Sequence, residues 1–212
     1  MRTMRAFSIK ILMIFAIFFA ASTQAFAIES PDALIKRLSD EVFAVVSQDK
    51  EIQAGNPVRI RALVEDKLFP HIDFERMTAL AAGRHWRTMD DSQKSALTKE
   101  FRDLLVHTYS GAIAQIKDQK IQFDPLRADP NDTDVVVRSK VIQTGGRAPI
   151  QLDYRLYKKD GGDWKVYDLN VLGAWLLQSY RGTFDAEIKK SGVDGLIKTL
   201  SEKNKTISSK KK

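Results

Sequence analysis

The sequence predicts an α+β protein in which helices pack on one face of a curved antiparallel four-stranded sheet. Two observations predict it. Apolar residues recur at helical spacing through residues 28–118 and again over 173–202, whereas residues 119–172 alternate apolar and polar with a period of two. Glycine-rich breaks separate the alternating runs, so consecutive strands fold back as hairpins and not through helical crossovers.

The first 27 residues stand apart from the fold. Arg2, Arg5 and Lys10 give a basic start, Ile11 to Ala21 is uninterrupted apolar sequence, and Ala25-Phe26-Ala27 is the small-x-small pattern cut by a signal peptidase. The apolar run is about half of the ~20 residues that a spanning helix needs. Residues 1–27 are therefore expected to be a removed signal peptide, and the mature chain to run from Ile28 to Lys212. The chain has no cysteine, which leaves no disulfide, no thiolate metal site and no lipid-modified residue after the cleavage point. The expected location is the periplasm of a Gram-negative bacterium, free in solution.

The mature chain opens with Ser30-Pro31, a cap residue before a proline, followed by Leu34, Leu38, Val42 and Val45 at helical spacing. Gly55-Asn56-Pro57 breaks the chain. A second helix carries Ile60, Leu63, Val64 and Leu68 and ends at Pro70. Asp73 caps a third with Phe74, Met77 and Leu80, which stops near Gly83. Asp91 or Ser92 begins the longest helix, running to about Lys117 with a stripe through Leu97, Phe101, Leu104, Leu105, Ala112 and Ile116. Strands are expected over 121–126, 134–143, 149–158 and 164–171, with turns at Thr144-Gly145-Gly146 and Asp160-Gly161-Gly162-Asp163. Two helices close the fold, about Gly173 to Lys190 and Val193 to Lys203, split at Ser191-Gly192. Val171 to Leu177 is apolar on every side, which predicts burial on every side. Residues 203–212 have no apolar stripe and are expected to be a basic disordered tail.

The chain carries 34 Lys+Arg against 27 Asp+Glu, for a net +7. The excess lies at the ends: without Arg2, Arg5, Lys10, Lys203, Lys205 and Lys210 to Lys212, 26 basic residues face 27 acidic ones. A nucleic-acid reader needs a basic face on its folded body, and this body has none to spare.

Catalytic signatures are missing. His71, His85 and His107 are too scattered for a helical metal pair, and no nucleophile elbow, phosphate loop or dinucleotide fingerprint occurs. One enzymatic alternative stands: a small-molecule isomerase or binding module with a single desolvated carboxylate on the sheet, Asp153 or Asp168, as base.

Several ordered segments resemble the MlaC, or toluene-tolerance, family. They are Phe69-Pro70-His71-Ile72-Asp73-Phe74 with Met77, Gly83-x-x-Trp86-Arg87, Phe101-x-x-Leu104-Leu105-Val106-x-Thr108-Tyr109, Trp164 to Gly173, Ser179-Tyr180-Arg181 through Phe184, and Gly192 to Ile197. The resemblance covers about Leu34 to Asn204. It departs at Gly173-Ala174-Trp175, where members carry Gly, an aliphatic residue and Ser, and at Ser179, where Asn is frequent.

That resemblance implies a sheet related to the NTF2-like arrangement and a lipid pocket between sheet and helices. It implies a monomeric shuttle for phospholipid cargo, with no cofactor and no nucleic acid. Its partners are an outer-membrane MlaA-type lipoprotein with its porin and an inner-membrane MlaFEDB-type ABC transporter. Surplus apolar residues on elements that must face one another make the expected pocket wall: Phe74, Met77, Trp86, Leu105, Tyr109, Tyr154, Tyr167, Val171, Trp175, Leu176 and Tyr180. Arg147 and Arg181 are the headgroup candidates, Arg181 alternatively pairing with Asp185 four residues on.

Overall fold

The computed structural model describes residues 29–116, 119–129, 131–143, 145–160 and 162–210. The expected signal peptide therefore lies outside the described residues. Among them, no helix is long and apolar enough to cross a membrane.

The helical entry follows local capping chemistry. Helix α1 (Pro31–Gln48) starts where the Ser30 hydroxyl accepts the Ala33 amide. A short α2 (Lys50–Gln53) follows, capped by Asp49. The Asn56 side chain accepts two amides at the head of α3 (Pro57–Lys67), and Pro70 lies in the 3-10 turn Phe69–His71 that ends it. Asp73 caps α4 (Phe74–Ala82) by accepting from the Arg76 amide. Gly83, at φ 59, stops that helix and leads into a second 3-10 turn, Gly83–Thr88. Helix α5 (Asp91–Ala114) begins one residue after its cap, Asp90, which exchanges hydrogen bonds with Gln93 in a reciprocal capping box.

Among the described residues the sheet has six strands where four were expected: β1 (Lys120–Phe123), β2 (Asp134–Val137), β3 (Ser139–Ile142), β4 (Ile150–Lys158), β5 (Trp164–Val171) and β6 (Ala174–Trp175). The expected strand 134–143 is bent into two halves, β2 and β3, both antiparallel to β4. The break has a chemical cause. The Ser139 amide donates to the buried Asp153 carboxylate, and its hydroxyl donates to the Leu152 carbonyl. The neighbour order β1-β3-β4-β5-β6 keeps the expected antiparallel meander.

The chain after β5 departs from expectation. Leu172 and Gly173, at φ 55 and 87, form a two-residue turn that pairs Val171 with Ala174. Residues 173–175 are thus turn and strand, and α6 (Leu176–Lys210) begins later than expected. All-round burial of 171–177 does not occur, because Leu172 is 71% exposed at the tip of that turn. Gly192, at φ 75, kinks α6 where a break was expected.

The basic tail is helical, not disordered, through Lys210. Leu196, Leu200, Asn204 and Ile207 extend one stripe, and the lysines between them hide it in the composition. The Asn204 amide donates to both the carbonyl and the carboxylate of Glu100, each at 2.9 Å. Replacing Asn204 with Ala is expected to cost about 1 kcal/mol, measured as a lower urea midpoint; a disordered tail would leave the midpoint unmoved.

Candidate functional site

The largest apolar cluster lies where α4, α5 and α6 meet β5. Its buried members include Met77 and Ala81 from α4, Leu97, Phe101 and Leu105 from α5, Tyr167 from β5, and Leu176 and Phe184 from α6. Nine of the eleven expected wall residues belong to it: Met77, Leu105, Tyr167 and Leu176 as buried members, and Phe74, Trp86, Tyr109, Val171 and Tyr180 packed on it as a partly exposed rim. Residues distant in sequence therefore converge on one apolar seam.

Phe101, Tyr180 and Phe184 form an edge-on aromatic triad at its centre, with centroids 4.9, 5.0 and 5.9 Å apart. Phe101 and Phe184 were legible as stripe residues but not as site residues, since periodicity marks burial and not what is buried beside what.

The expected open pocket between sheet and helices takes another form here. The seam's walls touch one another, Met77 being 1% and Leu176 4% exposed. Apolar walls without intervening hydrocarbon minimise water contact by packing together. Two open surface hollows lie elsewhere. One, of about 430 Å³, runs between α5 and α6 past Gln93 and Ile197. The other, of about 570 Å³, runs past Val45, Asp49 and Arg59.

The family model described as "MlaC protein" matches residues 36–202. This chain belongs to the MlaC family. Within it, the chain is 25% identical over 185 residues to the intermembrane phospholipid transport system binding protein MlaC of Haemophilus influenzae, covering 87% of this chain and 86% of the relative. It is 24% identical over 175 residues to the toluene tolerance protein ttg2D of Pseudomonas putida, covering 82% and 80%. A phospholipid-binding protein of Ralstonia solanacearum, solved in complex with a phospholipid, superposes with a TM-score of 0.79 at 39% identity, over 84% of this chain and 98% of that one.

Two expected wall residues of this MlaC-family chain lie off the seam. Tyr154 belongs to a second cluster with Leu34, Ile35, Leu38 and Leu156, under α1. Trp175, at the family departure, sits on β6 with the Arg155 guanidinium 4.0 Å over its ring. It neither narrows the seam nor lines it. The cause is the turn at Leu172-Gly173, which starts α6 after Trp175.

The alternative enzymatic base is occupied. Asp168 is fully buried, and one of its oxygens accepts the amides of Leu169 and Leu177 while the other accepts Arg155 at 3.1 Å. Burial pushes its carboxyl up, against the pull of the Leu177 amide, the Leu169 amide and Arg155. Asp153 accepts from the Ser139 amide and the Gln151 side chain. Both carboxylates hold structure together.

The headgroup candidates sit on separate elements. Arg147 is exposed in the β3–β4 hairpin. Arg181 lies against Gly83, where a Cβ would come within 3.5 Å of its Nε. Asp185 pairs not with Arg181 but with Lys189 at 2.5 Å, His85 at 2.8 Å and Arg84 at 3.7 Å. Lys189 first, then His85, pull its carboxyl down to about 2.

A polar clasp that the sequence did not reveal ties α4 to the sheet. The Tyr157 hydroxyl donates to Asp73, and that of Tyr167 donates to Asp134 at 2.8 Å. Arg76 lies over both rings, 3.9 and 4.5 Å from their centroids. A register shift in the β4–β5 pairing sets Arg155 opposite Asp168 and Leu156 opposite Val166, so Tyr167 is the extra residue on β5 and that strand changes phase there, which conceals the clasp from pattern reading. Burial raises the Asp73 carboxyl, but the Arg76 amide, Tyr157 and Lys159 outweigh it and hold it below the ordinary 3.8. A depressed folded value means its stabilisation is complete above 3.8 and is lost as pH falls through the folded value. Asp73→Asn keeps a capping oxygen and removes the charge. Urea midpoints taken from neutral to strongly acid pH are expected to fall less steeply on the acid side in that variant than in the parent.

Proposed function

We propose that this chain is a periplasmic phospholipid carrier that performs no bond chemistry. It shuttles phospholipid between an outer-membrane MlaA-type lipoprotein–porin complex and an inner-membrane MlaFEDB-type ABC transporter. The observation that carries the reading is the phospholipid complex of the Ralstonia solanacearum relative, which shares this fold across 84% of the chain at 39% identity. The Haemophilus influenzae relative, named for intermembrane phospholipid transport, supports the pathway.

The physics sets the requirement. Each buried CH₂ contributes ~0.8 kcal/mol, so two acyl chains of ~16 carbons are held in a bilayer by more than about 20 kcal/mol. A carrier must offer a comparable apolar surface, and the α4–α6 seam is the greatest concentration of it among the described residues. Tails enter by parting walls that otherwise pack on each other. The aromatic and methionine side chains there are suited to deformable contact. The tails lie against Met77, Tyr167 and Leu176, and the partly exposed ring of Phe74, Trp86, Tyr109 and Tyr180 borders the entrance. Handover requires a docked partner to bind the open and closed forms unequally.

Purified protein is expected to carry phospholipid in native mass spectra and in solvent extracts; uniformly empty protein would contradict the carrier reading. Trp86→Glu, at the rim, is expected to lower lipid occupancy about tenfold, the equivalent of about 1.4 kcal/mol. Trp175→Ala, off the seam, is expected to leave occupancy unchanged. Equal effects of the two variants would remove the seam as the lipid site.

A further inference from the structure

One end of the sheet carries apolar side chains that neither the backbone nor the core requires. The β5–β6 turn has positive φ at both central residues, Leu172 at 55 and Gly173 at 87. That is the turn geometry favouring Asn-Gly; a leucine there is strained by its Cβ. Packing does not repay the strain, because Leu172 is 71% exposed. Its amide is bonded to the Gln151 carbonyl at 3.0 Å, so the tip is held by the sheet.

Ile142, 37% exposed, ends β3 at the same edge. Strand β4 lies between β3 and β5, which sets the two apolar tips on the order of 10 Å apart at ~4.8 Å per strand step. Exposed cations surround them. Lys120 is the register partner of Ile142, Lys140 that of Gln151, and Arg147 sits in the intervening hairpin. Residues 139–152 and 171–175 contain no Asp or Glu.

From this pairing of exposed leucine and isoleucine with cations, we infer that this end of the sheet docks on an anionic phospholipid surface. Leu172 and Ile142 enter the headgroup layer, and Lys120, Lys140 and Arg147 lie over lipid phosphates. Charge complementarity selects this occupant. An apolar tip alone would suit any greasy partner, whereas exposed lysines beside small apolar wedges match a negatively charged interface. The inference extends the carrier reading by giving the carrier a face with which to approach a bilayer, and its geometry stands apart from the seam.

The test uses protein recovered from the periplasmic fraction, its N-terminus read by mass spectrometry so that no apolar leader contributes. Co-sedimentation is measured with vesicles of phosphatidylcholine and with equal parts phosphatidylcholine and phosphatidylglycerol, at low salt and at 1 M salt, where the screening length is about 3 Å. Binding is expected to the anionic vesicles only, and to be abolished by salt. Leu172→Asn suits the turn and preserves folding; it is expected to lower vesicle binding at least about tenfold with an unchanged or raised Tm. Lys120→Glu combined with Lys140→Glu is expected to do the same. Both variants are expected to keep their co-purified phospholipid, so loss of docking is separable from loss of cargo. Absence of binding to anionic vesicles, or binding equal in parent and variants, overturns the inference and leaves the surface to a protein partner. Empty parent protein that still binds anionic vesicles would sink the carrier reading and not this one.

Discussion

The Asp168 carboxylate, fully buried on β5, determines where the last helix begins. It accepts the Leu177 amide at 3.1 Å and the Arg155 guanidinium at 3.1 Å. A buried carboxylate is tolerable only when its oxygens are satisfied, so the first turn of α6 has little freedom to slide. Leu176, Tyr180 and Phe184 then fall at fixed positions opposite Tyr167 and Met77. The apolar interior is thus aligned by a polar contact that also occupies both oxygens of Asp168.

Around that anchor the molecule shows an uneven distribution of constraint. Helix α4 is tied to the sheet by a clasp at its N-terminal end, through Asp73, Arg76, Tyr157, Tyr167 and Asp134. Its far end finishes at Gly83, against Arg181 on α6. Between them the contacts of Met77 and Ala81 are dispersion and hydrophobic burial, which are non-directional and re-form around a different neighbour. Directional bonds at the margins with non-directional contacts in the middle are what a wall needs to part without unfolding.

Much of this was legible in the sequence wherever one local rule governed. Ser30 and Asp73 announced helix starts because their side chains bond the nearest amides, and Gly83 and Gly192 announced ends because of positive φ. The seam was legible for nine of eleven residues because apolar stripes on elements of known type have to meet. What escaped depended on distant partners. The break at Arg138 needs Asp153, fourteen residues beyond Ser139. The clasp depends on a bulge that makes Tyr167 the extra residue on β5. Trp175 was misplaced because two positive-φ residues, only one of them glycine, turned an expected helix into a hairpin. The last turns of α6, over 204–210, were hidden by their lysines, with Asn204 bonded to Glu100.

The claim on which the rest hangs is that hydrocarbon tails lie in the seam between α4, α6 and β5. Photocrosslinking with a phospholipid carrying a diazirine on one acyl chain, followed by peptide mass spectrometry, tests it most directly. Adducts concentrated on residues 74–86, 101–109 and 167–184 are the predicted result. Adducts concentrated under α1, around Leu34, Leu38 and Tyr154, or in the hollow bordered by Gln93 and Ile197, would contradict it.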